Sequence, residues 1–482
     1  MLNTQNQTKA AGWMRDLASH YDRARATYPH DRLIVLFDVD GTIVDLRYMM
    51  LSLLREYDRI HGSKYFRHMG LTDIDVNENH MDVLLAQMNT LSDKMREEVA
   101  QWYKSRYWDQ DVMFESHRPF AGVMEVMRWF QLQPNTSIGI NTARPESMRE
   151  DTLYSLNGLG REFKVFFPSE LVHMSPYAWD SDVENCKREG IRYFRNLGYR
   201  VVAFVDNEPE NLAAISTMED SNEIMLLHAD TLFESARSRL PRTTVSGDTY
   251  DITELAYADT LPRHVQFVWH GVKDNNGLAE FIESDVQWCE MDVRTDPVTG
   301  QLVLTSEPID DTLPVNLTNL DVVLDAVIRS ERSIKLDIRE NGHTLDALVA
   351  EIRDRSVPED RLWFSANIDE LGESGFRRLR RTFPRAVVQC PVDFMAPLIL
   401  AMPERAREIL DSLSEWGINR VSVKWDNLAR RQVLDSLEEW GYEVNIYNVP
   451  DLESFLKAAL LLPTSLTADF DSPSWPSRIA LA

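Results

Sequence analysis

Two aspartates directly after a compact apolar run constrain this chain more than any other feature. The run Leu33–Phe37 is typical of a buried parallel strand, and the chain continues with the letters DVDGT over residues 38–42. Side chains two residues apart leave a strand on the same side. Asp38 and Asp40 are therefore predicted to lie together at the carboxyl end of a sheet, where ligands bind in open α/β folds.

This pair of carboxylates indicates phosphoryl chemistry. One can attack phosphorus and form an acyl phosphate, while the other protonates the leaving oxygen and later activates water. An anionic nucleophile that approaches a phosphate dianion needs a metal to cancel the repulsion, and Mg²⁺ prefers carboxylate oxygens. We expect Asp38 to be the attacking group.

Further apolar runs, at 136–140 and 200–205, are separated by helical patterns, which predicts a parallel sheet wrapped by helices. Between the first run and the second, residues 46–115 are helical in pattern, without alternating strands, and predict an inserted helical segment. We assign the chain to a polar lead-in at 1–30, a first domain at 31–230, a connection at 231–262 and a second domain at 263–482.

The second domain has the strand count of a (β/α)8 barrel, because eight strand candidates alternate with amphipathic helices. Every second residue of these strands is polar, and period-two spacing sends such residues to one face, here the inside of the barrel. Buried polar groups must pair with each other or with a ligand, and both alternatives stay open. The strand candidates are Gln266–His270, Gln287–Val293, Ile334–Arg339, Leu362–Asn367, Ala386–Pro391, Arg420–Trp425, Glu443–Val449 and Leu466–Phe470. The predicted inward residues include His270, Glu290, Asp292, Lys335, Asp337, Arg339, Gln389, Ser422, Lys424, Thr467 and Asp469.

The composition excludes some classes of partner. With 77 acidic and 51 basic residues the net charge is −26, which repels nucleic acids and anionic membranes, and we find no basic patch. Three widely spaced cysteines without a CxxC pair argue against a disulfide framework or a structural zinc site. No stretch approaches the roughly 20 apolar residues of a membrane span. We expect a cytoplasmic protein of undetermined oligomeric state.

The DVDGT segment resembles the first motif of the haloacid dehalogenase superfamily, DxDGT. The resemblance implies that Asp38 is the nucleophile and Asp40 the general acid and base. Residues 138–145 look like the second motif, which implies that Thr142 hydrogen-bonds a phosphoryl oxygen. Lys187 stands where the third motif has its lysine, which neutralises the nucleophile and the phosphoryl charge. Asp206 follows a strand candidate as in the fourth motif, whose acid binds the metal.

The same resemblance implies a Mg²⁺ ion, a small phosphorylated substrate and a Rossmann-like core with a helical cap. A second acid of the fourth motif stays open between Asn207 and Glu210. An acid at position 40 favours a phosphatase or phosphomutase. The helical insert looks like a cap that closes over the substrate. The implied metal ligands are Asp38, Asp40 and Asp206, and the implied substrate-binding residues are Thr42, Asn141 and Arg144.

The second domain resembles the glycerophosphodiester phosphodiesterase superfamily, and its menorin-like branch, at residues 269–271, 289–293 and 334–339. This implies a second site with His270 as an acid or base and a second divalent cation. The implied metal ligands are Glu290, Asp292 and Asp337, accompanied by Arg339 and Lys424. Phosphodiesterases of this superfamily use a second histidine, and at its place this chain has the sequence TSEP, residues 305–308. We therefore expect an altered barrel rather than an active diesterase.

Three hypotheses follow from these patterns. In the first, the chain is a phosphatase of small metabolites that works through an aspartyl-phosphate. In the second, the barrel cleaves a phosphodiester and the first domain removes phosphate from the product. In the third, the barrel binds a lipid head group or a partner and has no catalytic role.

Overall fold

The computed structural model describes residues 12–88, 90–176, 182–231, 240–256, 260–309, 317–425 and 430–468. The chain divides into two compact units, residues 1–256 and 257–482. Within the described residues, no helix has both the length and the apolar character needed to cross a membrane. Asp469 and Phe470, which the sequence places on the last barrel strand, lie outside the described residues.

A parallel six-stranded sheet forms the centre of the first unit. Its strands are β1 Arg32–Phe37, β2 Thr136–Pro145, β3 Val172–Ser175, β4 Tyr199–Asp206, β5 Met225–Ala229 and β6 Val245–Gly247. The order across the sheet is β3-β2-β1-β4-β5-β6, with every neighbouring pair parallel. Because helices cover a parallel sheet on both faces, its strands are apolar runs, and five of the six residues of β1 are buried.

The helices of the first unit include the predicted insert between β1 and β2. They are α1 Trp13–Thr27, α2 Arg47–His61, α3 Met81–Gln87, α4 Asp93–Arg106, α5 Gln110–Ser116, α6 Val123–Leu132, α7 Arg149–Gly160, α8 Val183–Asn196, α9 Pro209–Ser216 and α10 Ile252–Leu255. Four of these, α2 to α5, lie in the segment that the sequence assigns to a cap, and two short 3-10 turns lie between α2 and α3. The prediction of a helical insert is confirmed.

Register brings the motif residues to one edge of the sheet. Phe37 at the end of β1 pairs with Ile140 of β2 and with Val205 of β4. The residues that follow these three therefore emerge side by side, and they are Asp38, Asn141 and Asp206.

Two segments belong more closely to the first unit than the sequence indicates. Helix α1, in the polar lead-in, buries Trp13, whose Nε1 donates to the backbone carbonyl of Thr249 at 2.5 Å. Strand β6, in the predicted connection, pairs with β5. A Cβ on Gly247 would lie 2.2 Å from the Trp13 ring, so the two segments pack directly on each other. The division between the units falls after Ala256.

The second unit is a closed parallel barrel. Its strands are β7 Gln266–Trp269, β8 Trp288–Thr295, β9 Leu302–Leu304, β10 Ser333–Ile338, β11 Leu362–Ser365, β12 Val387–Pro391, β13 Arg420–Lys424, β14 Glu443–Val449 and β15 Ser465–Ala468. Strand β15 pairs with β7 and β8 pairs with β10, which closes a ring of eight parallel strands, while β9 adds antiparallel to β8. The predicted fold class, a Rossmann-like α/β core with a helical cap and a (β/α)8 barrel, is confirmed.

The barrel has an apolar floor below its polar interior. Val268, Trp288 and Trp363 form a buried cluster on which Val387 packs. The helices around the barrel are α11 Asn275–Glu283, α12 Leu320–Arg329, α13 His343–Asp354, α14 Ile368–Thr382, α15 Ala396–Ala401, α16 Pro403–Glu415, α17 Arg430–Glu439 and α18 Leu452–Leu460.

Candidate active site

Lys187 joins two buried carboxylates at the carboxyl end of the first sheet. Its Nζ lies 2.7 Å from Oδ1 of Asp38 and 2.9 Å from Oδ2 of Asp206. It also donates to the backbone carbonyl of Asn141 at 2.9 Å. Three residues that are far apart in the sequence therefore form one cluster, and each was a predicted site residue.

Charge and burial set the protonation of this cluster. Burial raises the pKa of Asp38 to about 7, with Lys187 opposing the rise and Asp206 adding to it. Burial alone would lower the pKa of Lys187, but Asp206 and Asp38 outweigh it and raise that pKa above its ordinary value. A single ammonium group thus stabilises negative charge on two carboxylates, one of which is the predicted nucleophile.

Asn141 holds the helix that carries the lysine. Its Nδ2 donates to the backbone carbonyl of Lys187 at 2.9 Å. A Cβ on Gly190, one turn further along α8, would lie 2.1 Å from Oδ1 of Asn141, so only glycine permits this approach. Asn141 thus fixes α8 against β2, and its predicted contact with substrate stays a prediction.

Arg144 makes a two-bonded ion pair with Asp40. Its Nε donates to Oδ2 at 2.7 Å and its Nη2 donates to Oδ1 at 2.6 Å. Burial alone would raise the pKa of Asp40, but Arg144 outweighs it and holds that pKa below its ordinary value. The guanidinium carbon also lies 5.3 Å from the centre of the Trp108 ring. Arg144, a predicted substrate-binding residue, thus orients the predicted acid and base in its ionised form.

Asp206 receives three hydrogen bonds besides its ion pair with Lys187. Asn211 Nδ2 donates to both carboxylate oxygens, at 3.0 and 3.1 Å, and the backbone N–H of Glu208 donates to Oδ1 at 2.8 Å. Sequence reasoning left Asn207 and Glu210 as candidates for a partner acid and missed Asn211. Its signal was an amide on the first turn of the helix that begins at Pro209, soon after Asp206.

The turn after Asp38 requires glycine. Gly41 has a φ of +76°, and a Cβ there would lie 2.4 Å from Nδ2 of Asn207. The Oγ1 of Thr42 donates to Oδ1 of Asn207 at 3.4 Å, and Tyr250 donates to the backbone carbonyl of Thr42 at 3.0 Å. Thr142 is buried and its Oγ1 accepts from the backbone N–H of Arg144 at 3.3 Å. The predicted substrate contact of Thr42 and the phosphoryl contact of Thr142 stay predictions.

The cap adds groups that the sequence did not predict. Burial raises the pKa of Glu78 to about 7, and the negative charge of Asp40 adds to the rise. Tyr103 and Tyr107 pack with ring centres 5.1 Å apart and ring planes tilted by 47°, and their buried hydroxyls have no hydrogen-bond partner among the described residues. Glu78 also raises the pKa of both tyrosines, although burial has the larger effect. One acid and two phenols of the cap therefore lie near Asp40.

Negative charge is in excess at this site. Two basic side chains, Lys187 and Arg144, face a larger set of carboxylates. That set is Asp38, Asp40, Asp206, Glu78 and Glu208. Burial and the charge of Asp206 raise the pKa of Glu208 to about 8, which reflects this crowding. Oxygen ligands with surplus negative charge fit a hard divalent cation.

The positions of the side chains fit a metal ion only in part. Over the described ranges, no three histidine, cysteine or carboxylate side chains are arranged to hold a metal ion. Asp38 and Asp206 come together on Lys187, whereas the carboxylate of Asp40 is turned to Arg144. Two of the three predicted ligands thus share one locus, and the role of Asp40 as a ligand stays a prediction.

The barrel contains the second predicted site in a cavity of about 320 Å³ at the carboxyl ends of its strands. His270 and Lys424 line its mouth with Asp337 and Arg339, and Glu290 lies deeper. Asp292 does not line the cavity and instead accepts from Arg339 Nε at 2.9 Å. The alternating polar positions therefore do point inward, as the period-two pattern predicts.

Comparison with known proteins gives fold likenesses only. Neither a protein-family model nor a curated protein matches the sequence. A glycerophosphodiester phosphodiesterase from Agrobacterium tumefaciens matches with 11% identity and a TM-score of 0.32, over 44% of this chain and 98% of that one. A phosphodiesterase from Oleispira antarctica, solved with the product sn-glycerol-3-phosphate, matches with 16% identity and a TM-score of 0.34, over 44% and 95%. A haloacid dehalogenase-like hydrolase from Streptococcus pneumoniae matches with 14% identity and a TM-score of 0.28, over 44% and 93%.

Proposed function

We propose that the first unit is a phosphatase that hydrolyses small phosphate monoesters through an aspartyl-phosphate on Asp38. The observation that carries this proposal is the contact of one buried ammonium, that of Lys187, with two buried carboxylates at the edge of the sheet. A structural ion pair needs only one carboxylate for its cation. Burial of a second carboxylate costs free energy, and clusters of charged groups with perturbed pKa values are typical of active sites.

In the first step, an oxygen of Asp38 bonds to phosphorus while the bond from phosphorus to the leaving oxygen breaks. Lys187 stabilises the carboxylate before attack and the phosphoryl charge during it. Asp40 in its protonated form gives its proton to the leaving oxygen. Arg144 keeps the carboxylate of Asp40 in place through its two hydrogen bonds.

In the second step, water attacks the phosphorus of the aspartyl-phosphate and Asp40 accepts its proton, which frees Asp38 and releases phosphate. The ionised form of Asp40 that Arg144 favours is the form that this step requires. The accepted proton is then available for the next leaving group.

We propose that Mg²⁺ binds to Asp38 and Asp206, where its charge would offset the excess of carboxylates and the approach of a phosphate dianion. Cytoplasmic localisation belongs to the same proposal, because Cys186, Cys289 and Cys390 are free and buried, as in a protein of a reducing compartment.

Release of phosphate from a panel of sugar, polyol and amino-alcohol phosphates, measured with Mg²⁺, tests this function. Turnover that Asp38→Asn abolishes supports it. A matched control is Asp93→Asn, since the Asp93 side chain is 99% exposed. No turnover across the panel, or full activity in Asp38→Asn, would contradict it.

A further inference from the structure

The carboxylates that the barrel resemblance assigns to a metal are already paired with cations of the chain. Lys335 Nζ lies 3.1 Å from Oε2 of Glu290. Arg339 Nη2 lies 2.5 Å from Oδ1 of Asp292 and 2.7 Å from Oδ2 of Asp337. Each position that would ligate a divalent cation thus has a built-in positive partner.

Lys335 is fixed within the barrel rather than placed at its surface. It is 1% exposed, donates to Thr467 Oγ1 at 3.2 Å, and its Nζ lies 4.9 Å from the centre of the Trp363 ring. Strand register places it directly beside Glu290. A metal ion bound to Glu290 would repel this nearly fully buried ammonium, and the described residues around it supply no surplus of carboxylates to offset the repulsion, in contrast to the first unit. The barrel residues therefore do not fit a divalent cation.

The charges of the pocket balance without an ion. Its lining contains the carboxylates of Glu290 and Asp337 and the cations Lys335, Arg339 and Lys424. Asp292, which lies behind the lining and pairs with Arg339, is the third carboxylate. No described residue forms an ion pair with Lys424, so this exposed ammonium is the cation that a ligand can meet at the mouth.

Several deep atoms of the pocket lack partners among the described residues. Gln389 Oε1 and Ser422 Oγ are buried and form no hydrogen bond with any of them, and Glu290 Oε2 forms none beyond its ion-pair contact with Lys335. Buried polar atoms are nearly always satisfied by protein, water or ligand. The amide oxygen of Gln389 can only accept, so its partner must carry a donor such as a hydroxyl group.

Depth along β13 separates the two ends of the pocket. Ser422 lies in the middle of the strand and Lys424 ends it, about 7 Å further toward the mouth at the rise of an extended chain. A complementary ligand carries hydroxyl donors at its inner end and an anionic group at its outer end. The cavity of about 320 Å³ is at the lower end of small-molecule sites.

We propose that the barrel pocket binds a small hydroxyl-bearing organic anion without any divalent cation, with Lys335 and Arg339 in the place of the metal. The anionic group is a carboxylate or a phosphate monoester, and Lys424 meets it at the mouth. Gln389 and Ser422 bind the hydroxyl end. The barrel is then a ligand-binding module and not a hydrolase.

Isothermal titration of the full chain in EDTA tests this proposal, with Asp38→Asn present so that phosphate esters are not turned over. Two complete probes distinguish the anionic groups, because gluconate carries a carboxylate and sn-glycerol 3-phosphate carries a phosphate. Glycerol and inorganic phosphate serve as half probes, one with hydroxyl groups alone and one with the anionic group alone. We expect one of the two complete probes to bind more tightly than either half. Lys424→Met should weaken it at least about tenfold, as loss of a charge-assisted contact does.

Two further variants separate binding from folding. Ser422→Ala removes a hydroxyl that has no hydrogen-bond partner in the part of the chain that the structure describes, so it should leave stability unchanged and still weaken ligand binding several-fold. Lys457→Met, on the outer helix α18, is the control and should bind as the parent does. Binding that appears only when Mg²⁺ or Ca²⁺ is added, equal binding in Lys424→Met, or no binding of either complete probe would overturn the proposal.

Discussion

The two charged sites bury carboxylates in different ways. In the first unit five carboxylates face the two basic groups of Lys187 and Arg144, whereas in the barrel three carboxylates face three cations. A buried carboxylate needs nearby positive charge, and the chain itself supplies all of it only in the barrel. This difference is why we propose an external cation for the first unit and none for the barrel.

The largest expected effect is on catalysis in the first unit. Asp38→Asn should lower kcat at least about 10³-fold, because it removes the attacking oxygen while the surrounding charges stay. Steady-state rates on the best substrate of the panel, beside the Asp93→Asn control, measure it. Residual activity above a tenth of the parent's activity would contradict the proposal that Asp38 is the nucleophile.

Loss of the bridging lysine should cost the most stability. Lys187→Met leaves Asp38 and Asp206 buried without their shared cation, so the free energy of unfolding should fall by about 5 kcal/mol. Urea unfolding of the first unit measures this. Lys94→Met, at an exposed lysine of the cap, should change it by less than about 0.5 kcal/mol. If Lys187→Met lost as little stability as the control, the excess of buried carboxylates would not affect the stability of the first unit, which would contradict the account.

The charge balance of the barrel can be broken and then restored. Lys335→Met leaves Glu290 unpaired and should destabilise the barrel by about 3 kcal/mol. Adding Glu290→Gln removes the orphaned charge and should recover most of that loss, because a neutral pair needs no cation. Thermal unfolding of the two variants and the parent measures the recovery. Equal losses in the single and double variants would show that Lys335 acts by packing alone.

The smallest expected effect concerns the turn after Asp38. Gly41→Ala places a Cβ on a residue with positive φ and only 2.4 Å from Nδ2 of Asn207, so the free energy of unfolding should fall by about 2–3 kcal/mol. Gly62→Ala has a similar φ of +65° but open space around the Cβ, and should cost about 1 kcal/mol. Denaturant midpoints compare them. If the two variants lost the same stability, Asn207 would not restrict the turn.

Much of the architecture follows from the sequence, because periodicity reports burial. The eight predicted barrel strands all form, and Glu443–Val449 has the predicted bounds. Asp38 and Asp206 meet because the parallel strands β1 and β4 end at one edge of the sheet. Lys187, on helix α8, was expected at the site only from the resemblance to the haloacid dehalogenase motifs. Helix α1 and strand β6 were missed as parts of the first unit, since each is short or polar and is stabilised by contacts that are remote in sequence.

Side-chain pairing could not be predicted in the same way. Arg144 was expected to bind substrate, but its distance to Asp40 depends on how β2 ends, which no local pattern encodes. Glu78 lies in a helical insert whose packing sets its position, so its approach to Asp40 has no signal in the sequence. The pairing of the barrel cations could not be predicted either. The period-two pattern of the strand predicts that Lys335 points inward, but it does not predict that Lys335 pairs with Glu290.

Counting divalent ions tests the central contrast most directly. Equilibrium dialysis of the full chain against Mn²⁺, a common substitute for Mg²⁺ on oxygen ligands, should find one ion per chain. Asp206→Asn should lose that ion and Glu290→Gln should keep it. Two ions per chain, no ion at all, or an ion that Glu290→Gln removes would contradict the account.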